Sequence, residues 1–419
     1  MGLIPFQPAD AFPVFKTGDV IIRAELGAEP VTFQLHSSVL IRHSPWFAKA
    51  FQFRPPKDHC SNWYLFKLEN TGGKVSLVQH DTEGDRPILS HSTASQVVHG
   101  VEIKVEDVFE NTANRISSTR TTPSTMTARN SSPPVRKVSP KAALACYTQV
   151  LGAFYSIPPP ISTVNISTAL VQAEELVKLA ADLGCLHLLR PYLGHVLGEY
   201  RQKLFVAIKQ DPPRWVRLAL SLENKSIYTE CLVHLIGAHP KWPWSTGRAA
   251  LPEDLRRLVF NKAHEVEVAR TEIERDLLLI NLPYGRNATP PDPTQPGQTE
   301  TWITVQIIRD QLALRIDSLD RSKEAALHRG KFFRQLRKGT LEVLDLENVR
   351  TICQGTMPST WKDLRDDLKQ LKEYVAELVE EIASNELMID PDTNNIGYLT
   401  CAKVGNDDIP WIQTAGSSS

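Results

Sequence analysis

Residues 19–51, DVIIRAELGAEPVTFQLHSSVLIRHSPWFAKAF, contain the pattern that decides the fold of the N-terminal part of the chain. Alternating apolar and β-branched residues lie on both sides of GAEP, and this arrangement predicts a β-hairpin because Gly and Pro favour turns. Apolar residues then recur near helical spacing at Val39, Leu40, Phe47, Ala50 and Phe51. Pro45 interrupts this pattern, since proline has no backbone N–H to donate, so two short helices joined at His43–Pro45 are predicted.

The sequence changes character on the C-terminal side of this stretch. Residues 63–68, WYLFKL, predict one further strand, and residues 97–109 alternate in a way that is typical of another. Residues 111–140 differ, because 12 of these 30 positions are Ser or Thr, four are Pro and none is aromatic. A segment with so little apolar surface does not offset the entropy lost on ordering it. Residues 70–140 are therefore predicted to be an insert that is largely disordered at 111–140.

Amphipathic helices are predicted from residue 141 onward. The stretch AALACYTQVLGAFYSI ends at a run of three prolines, and ALVQAEELVKLAADLGC places apolar residues on one face before Gly184. A small sheet capped by short helices would bury the apolar faces that neither half buries alone. We therefore expect Ile21 and Leu35 to share one apolar interior with Leu151 and Leu179.

The order of these elements resembles the BTB (POZ) domain. In that family a strand that begins at an Asp is followed by a second strand, an apolar-x-His-x-x-Val-Leu helix and a Ser-x-x-Phe turn. The matching residues in this chain are Asp19, Leu35, His36, Val39, Leu40, Ser44, Phe47 and Phe51. The stretch YTQVLGAFYS resembles the third long helix of the family, and LVKLAADLGCLHLLRPYLGHVL resembles its closing helix pair. The resemblance covers residues 15–69 and 141–200 and places the insert inside the domain.

The resemblance implies an α+β fold, in which a small sheet is capped by short helices, and a non-enzymatic role in protein–protein interaction. It implies a structural role for His36. It also implies homodimer contacts through the first helix, at Val39, Leu40 and Phe47, with the apolar Phe12–Phe15 region as an addition. Members of the family act as substrate adaptors for cullin ubiquitin ligases, as transcriptional regulators or as assembly scaffolds. The φ-x-Glu element by which some members bind a cullin is not identifiable here, so these uses stay open.

The rest of the chain is predicted to be mostly α-helical. Residues 201–281 form a helical extension, 282–300 a Pro-rich linker, 301–390 a second helical region and 391–419 a tail. Within 361–382 the apolar residues follow a spacing of 3, 4, 3, 4, 3, 4 at Trp361, Leu364, Leu368, Leu371, Val375, Leu378 and Ile382. This heptad stripe is typical of a helix pair within one chain or of a short coiled coil between chains, and the sequence leaves both open.

Charge is balanced over the whole chain and uneven within its C-terminal half. The 419 residues carry a net charge of −1, which excludes a whole-chain field that steers DNA, RNA or an anionic membrane. Residues 321–338 contain seven Lys or Arg and one Glu, whereas 361–381 contain four Lys or Arg and seven Asp or Glu. The basic run favours a solvated helical face, an electrostatic partner for the acidic helix at 361–381 or, as the alternative function, a nucleic-acid contact of a transcriptional regulator.

The sequence contains no motif of an enzyme, a cofactor site or a metal site. His43, His59 and Cys60 form a loose group without zinc-ligand spacing, and Gly72-Gly73-Lys74 predicts a turn rather than a phosphate loop. The six cysteines are far apart, which is typical of reduced thiols. We therefore expect a protein without catalytic residues, cofactor or metal.

Two further expectations concern location and modification. The N-terminal residues lack the pattern of a signal peptide, and no apolar run of about 18 residues occurs, so a cytoplasmic or nuclear protein without membrane contact is expected. Three Ser-Pro or Thr-Pro dipeptides in the insert, at Thr122, Ser132 and Ser139, are candidate phosphorylation sites.

Overall fold

A computed structural model describes residues 12–26, 30–52, 63–71, 74–80, 87–92, 139–283, 289–295, 297–354 and 361–412. The strand predicted at 97–109 and the motifs at Thr122 and Ser132 lie outside these ranges. The chain divides into two compact units. The N-terminal unit comprises Met1–Arg201 with Ser221–Glu223, and the C-terminal unit comprises Gln202–Leu220 with Asn224–Ser419.

The N-terminal unit contains a five-stranded sheet in the order β2-β1-β3-β4-β5. Its strands are β1 (Val20–Ala24), β2 (Val31–Leu35), β3 (Tyr64–Thr71), β4 (Lys74–His80) and β5 (Pro87–Ser92). Strands β1 and β2 pair antiparallel, which confirms the predicted hairpin, whereas β1 and β3 are parallel and need a crossover connection. Ile22 pairs with Phe33 on one side and Phe66 on the other, and all three side chains are buried. One face of the sheet therefore forms the core.

Helices cover this sheet. The crossover from β2 to β3 contains α1 (Ser37–His43) and α2 (Pro45–Gln52), which confirms the predicted break at Pro45. The later helices of the unit are α3 (Pro140–Ala153), α4 (Ile166–Asp182) and α5 (Leu186–Glu199). Helix α4 begins at an N-cap, Asn165, whose side-chain oxygen accepts hydrogen bonds from the N–H groups of Ser167 and Thr168.

The insert begins with two strands that the sequence analysis does not predict. Strand β4 pairs antiparallel with β3, and β5 pairs antiparallel with β4. Leu77 of β4 lies opposite Leu68 of β3, and both side chains are buried together with Val75. Pairing with β3 therefore orders residues whose own composition gave only a weak signal.

The parts of the N-terminal unit on either side of the insert pack on each other. The ring of Phe47 in α2 lies 6.1 Å from that of Phe154, just after α3. Leu35, Leu151 and Leu179 are all buried, as expected for a common interior. Ile21 differs from the expectation, because it is half-buried on the opposite face of β1 from Ile22.

The C-terminal unit is mostly helical. Its helices, as far as the structure describes it, are α6 (Gln202–Gln210), α7 (Pro212–Leu222), α8 (Lys225–Ala238), α9 (Glu253–Leu278), α10 (Thr299–Asp320), α11 (Ala325–Arg337), α12 (Leu346–Cys353) and α13 (Trp361–Leu378). Short 3₁₀ turns occur at Arg248–Ala250, Glu342–Leu344 and Asn406–Asp408. None of the helices in the described ranges is apolar over a length that could cross a bilayer.

One apolar core joins the two helical regions that the sequence analysis separates at 282–300. Leu277, at the end of α9, belongs to the same buried cluster as Val305 of α10 and Phe333 of α11. The heptad stripe of α13 lies in this cluster as well, with Leu371 and Val375 fully buried. The stripe therefore packs within its own unit, which is the first of the two alternatives that the sequence left open.

The described part of the predicted tail at 391–419 contributes buried side chains to the C-terminal unit. Residues 385–402, called the C-terminal segment below, contain buried apolar side chains at Leu387, Ile389, Ile396, Tyr398, Leu399 and Ala402. Asn385 and Thr400 form an isolated parallel β-bridge. The segment is part of the unit's interior, although it has no helical or strand periodicity that the sequence could reveal.

Candidate interaction surface

The residues that carry the family resemblance meet around α1 and α2, and the first contact fixes the start of α1. The carboxylate of Asp19 accepts hydrogen bonds from the backbone N–H of Ser37 at 2.6 Å and from its hydroxyl at 2.5 Å. Asp19 therefore satisfies a backbone donor that the first turn of a helix leaves without an intrahelical partner. The neighbouring Gly18 is tightly enclosed, because a Cβ there would overlap the backbone of Leu35.

His36 connects the hairpin to the later helices. Its backbone N–H donates to the hydroxyl of Tyr155 at 2.8 Å, and its Nδ1 lies 3.3 Å from the same oxygen. Its Nε2 lies 2.9 Å from Oγ1 of Thr17. Both ring nitrogens are thus engaged inside the unit, an arrangement suited to a structural histidine. Burial is the main cause that raises the pKa of Tyr155, so its hydroxyl stays neutral at physiological pH.

Ser44 fixes the corner between α1 and α2. Its hydroxyl accepts a hydrogen bond from the N–H of Phe47 at 3.1 Å and donates to the carbonyl oxygen of Leu183 at 2.6 Å. Gly184, with a φ of 69°, lies directly against Pro45, and a Cβ there would come within 2.8 Å of the proline ring. The end of α4 and the start of α2 are therefore held in one arrangement.

Two of the three residues expected at a dimer interface are buried inside the unit. Leu40 and Phe47 have no exposed side-chain surface, so they have nothing further to bury against a partner. Val39 is half-buried, and Phe51 is 5% exposed and packs against Tyr64. The expectation for Leu40 and Phe47 is corrected: their apolar character serves the packing of α1 and α2 under the sheet.

The apolar Phe12–Phe15 region also contacts its own unit. The ring of Phe12 lies 5.0 Å from that of Phe33, edge to face, and Phe15 stacks on Tyr155 at 4.1 Å. The region was expected as an addition to a dimer interface. In the described chain these two rings cover β2 and Tyr155, which lies two residues after the end of α3, whereas Val14 between them is 70% exposed.

The outer side of α1 is the accessible part of this region. Ile41 is 44% exposed, and its neighbours Ser38 and Arg42 are exposed as well. Because Asp19 fixes the first residue of α1 and Ser44 the residue after its last, this surface has little conformational freedom to lose on binding.

A histidine pair lies at the C-terminal end of the same helix. Nδ1 of His43 and Nε2 of His187, in the first turn of α5, are 3.4 Å apart. Burial, then Arg42 and His187, lower the pKa of His43. His43 is therefore neutral at physiological pH. In the described ranges, no three His, Cys, Asp or Glu residues lie close enough together to hold a metal ion.

The basic run at 321–338 is largely neutralised within the C-terminal unit. Ion pairs join Arg321 to Asp317, Arg329 to Asp320 and Glu267, Arg334 and Lys338 to Asp392, and Arg337 to Glu380. Phe332 and Phe333, the aromatic residues of the run, are buried. These cations contact acidic side chains of α9, α10 and the C-terminal segment, and Arg337 contacts Glu380, which lies just after α13 in the acidic stretch 361–381.

The structure also locates the phosphorylation candidate Ser139 and five of the six cysteines. Ser139 is exposed and precedes α3, where its carbonyl oxygen accepts the N–H of Ala143 at 3.0 Å. Cys60 and His59 lie outside the described residues. Cys146, Cys185, Cys231, Cys353 and Cys401 are free thiols. Burial raises the pKa of Cys185 to about 12, which makes this thiol a poor nucleophile.

Sequence reasoning missed several residues that fix distant segments within each of the two units. Tyr155 lies in the aromatic stretch that was assigned to a family helix, but nothing in the sequence indicated that its hydroxyl would bond His36. Glu230, His234 and Arg334 are ionisable residues that are nearly fully buried in the C-terminal unit. Charged residues spaced four apart on a helix ordinarily indicate an exposed face, so spacing alone gave no signal for the first two.

Comparison of the chain with family models, with curated proteins and with solved structures found no match.

Proposed function

We propose that the N-terminal unit is a protein–protein interaction module that pairs with a second copy of itself through the outer side of α1, and that the chain acts as a non-enzymatic adaptor or scaffold. The observation that carries the proposal is the contrast between adjacent residues of α1. Leu40 is fully buried while Ile41 is 44% exposed on a helix that is fixed at both ends. The resemblance to the BTB domain supports the same surface.

The experiment is light scattering of the full-length protein at micromolar concentration. A dimer is expected for the wild type and a monomer for Ile41→Glu, because a carboxylate on α1 would have to be desolvated in the interface. Val164→Glu is the matched control, since Val164 is 89% exposed on the loop before α4. A monomeric wild type, or equal loss of the dimer in both variants, would contradict the proposal.

A second experiment tests whether the chain binds a cullin as an adaptor. Purified cullin is mixed with the full-length chain, with Ile41→Glu and with Val164→Glu, and complexes are separated by size. Binding by all three proteins would assign the cullin contact to a surface other than the outer side of α1. Binding that Ile41→Glu alone loses would mean that cullin and a second copy share that surface. The absence of any complex would leave scaffold function as the proposal and exclude the cullin adaptor.

A further inference from the structure

The C-terminal segment lies against two helices of the C-terminal unit with its backbone in direct contact. A Cβ at Gly237 of α8 would overlap the carbonyl oxygen of Leu399, and a Cβ at Gly330 of α11 would overlap that of Tyr398. The N–H of Lys331 donates to the carbonyl oxygen of Gly397 at 2.9 Å. Contacts this close require glycine on both helices, so the segment is closely fitted between α8 and α11.

Two ionisable side chains of α8, one turn apart, bind two places along this segment. Oε2 of Glu230 accepts the backbone N–H of Met388 at 2.9 Å, and Nδ1 of His234 lies 2.7 Å from the hydroxyl of Tyr398. Glu230 is 2% exposed and His234 is fully buried. Residues 388 to 398 are therefore attached to α8 at both ends by groups that titrate.

The two side chains do not form an ion pair of good geometry. Oε1 of Glu230 and Nε2 of His234 are 3.8 Å apart, and both atoms are buried without a hydrogen-bond partner among the described residues. An ionised pair would need further hydrogen bonds to offset its desolvation. The geometry therefore favours a neutral carboxyl beside a neutral imidazole.

Other charged or titratable groups of α6, α8 and α11 lie around the pair. Lys209 of α6 lies near His234 and donates to the carbonyl oxygen of Asn394, and its charge disfavours an imidazolium. Asp211 and Cys231 are close to each other, and Cys231 lies next to Glu230 on α8. On α11, Arg334 is engaged by Asp392 and by the carbonyl oxygens of Ile396 and Tyr398.

The two groups respond to protons in opposite directions. Burial raises the pKa of Glu230 from 4.5 to about 7, so the attached segment binds this proton more tightly than a released segment does. Burial, then Lys209, lower the pKa of His234 from 6.5 to about 3, so the attached segment binds that proton less tightly. As the pH rises, loss of the proton of Glu230 favours release of the C-terminal segment. Loss of the proton of His234 over the same rise favours attachment of the segment.

We propose that Glu230 and His234 form a compensated proton clasp, in which two opposing protonation equilibria hold the C-terminal segment on α8 with little dependence on pH. Substitution of either residue leaves the pH dependence that is caused by the other residue without compensation. Release of the segment frees residues 388 to 398 from α8 and opens the closely fitted groove beside Gly237 and Gly330.

Hydrogen exchange of peptides from 385–402 in the full-length protein tests the proposal between pH 6 and 8, after correction for the intrinsic pH dependence of exchange. Segment opening is expected to rise less than about threefold in the wild type and about tenfold in His234→Gln, and to fall about fourfold in Glu230→Gln. The double variant should show no pH dependence. His264→Gln, an exposed histidine on α9, is the control and should match the wild type.

The opposite signs of the two single variants are the decisive result. The proposal would be overturned if segment opening changed with pH in the same direction in both single variants. It would also be overturned if all variants had the pH profile of the wild type. Because a variant of a buried residue can fail to fold, the wild type also gives a direct readout by carbon NMR. A Glu230 carboxyl that titrates near neutral pH supports the clasp, and one that titrates near 4.5 contradicts it.

Discussion

The two units fasten segments that are distant in sequence by different chemistry. In the N-terminal unit, Ser44 bonds Leu183, 139 residues away, through a neutral hydroxyl and a backbone carbonyl. In the C-terminal unit, the buried guanidinium of Arg334 holds the C-terminal segment by pairing with the exposed Asp392 and by donating to two backbone carbonyl oxygens, and Glu230 holds it through a buried carboxyl. The attachment in the N-terminal unit is divided among separate neutral hydrogen bonds, whereas the attachment in the C-terminal unit is concentrated in buried ionisable side chains and in glycines.

The difference predicts different sensitivities. A neutral hydrogen bond contributes about 1 kcal/mol to the free energy of unfolding, and its loss affects the one contact that it makes. Removing a buried charged donor such as Arg334 leaves several buried acceptors without a partner at once, and each unsatisfied acceptor costs about 1 to 3 kcal/mol. We therefore expect the C-terminal unit to be the more sensitive to single substitutions at its contacts.

The largest effect is expected for Gly330→Ala. The added Cβ would overlap the backbone of Tyr398, and neither α11 nor the C-terminal segment can move away without breaking its other contacts. The free energy that keeps the segment in place should fall by more than about 4 kcal/mol, measured by hydrogen exchange across the C-terminal unit. Gly247→Ala is the control, because a Cβ at Gly247 meets nothing within 4 Å. Normal protection in Gly330→Ala would show that the close approach is not required.

Arg334→Met should have the next largest effect. The side chain of Arg334 is 7% exposed, and its loss leaves Asp392 paired with Lys338 alone and two carbonyl oxygens without their donor. Unfolding of the unit in urea should show a loss of about 3 kcal/mol, because the two carbonyl oxygens stay buried without a donor. In Arg337→Met the same measurement should change by less than about 1 kcal/mol, because the Arg337–Glu380 pair is exposed. Equal losses in the two variants would refute the distinction between a buried and an exposed arginine.

Ser44→Ala tests the N-terminal unit. The variant loses the cap at the start of α2 and the bond to Leu183, so a loss of about 1 to 2 kcal/mol is expected in the unfolding of this unit. Ser38→Ala, on the exposed side of α1, should stay within about 0.5 kcal/mol of the wild type. A loss from Ser44→Ala as large as that from Arg334→Met would remove the contrast between the two units.

The parts that the sequence predicted are those whose information is local. The hairpin, the break at Pro45 and helices α3 to α5 follow from periodicity and from proline chemistry, which act over a few residues. Strands β4 and β5 were missed because they are ordered by pairing, β4 with β3 and β5 with β4. The C-terminal segment was missed because Ile396, Tyr398 and Leu399 have no period of their own.

The candidate surface was predicted in position but not in detail. The motif located α1 and α2, but Leu40 and Phe47 face inward and Ile41 faces outward. Which side of a seven-residue helix is buried depends on what covers it, and α1 is too short for its periodicity to decide. Buried ionisable residues such as Glu230 were out of reach, because burial is a property of the folded chain.

The smallest predicted effect concerns the N-terminal unit, whose stability depends on pH through His43. The pKa of His43 is lowered in the folded protein, so the unfolded chain binds this proton more tightly. The stability that depends on neutral His43 is present above its ordinary pKa of 6.5 and is lost as the pH falls below that value. His187→Gln removes one cause of the lowering, and the pKa of His43 should rise toward 6.5 in an NMR titration.

His195→Gln, further along α5, provides the control for this titration, because His195 is exposed and pairs with Glu199 instead. An unchanged pKa of His43 in His187→Gln would mean that burial and Arg42 account for all of the lowering. A rise would mean that the 3.4 Å contact between the two imidazoles couples α1 to α5. Acid would then weaken the N-terminal unit at one contact on its surface, whereas in the C-terminal unit the opposing responses of Glu230 and His234 nearly cancel.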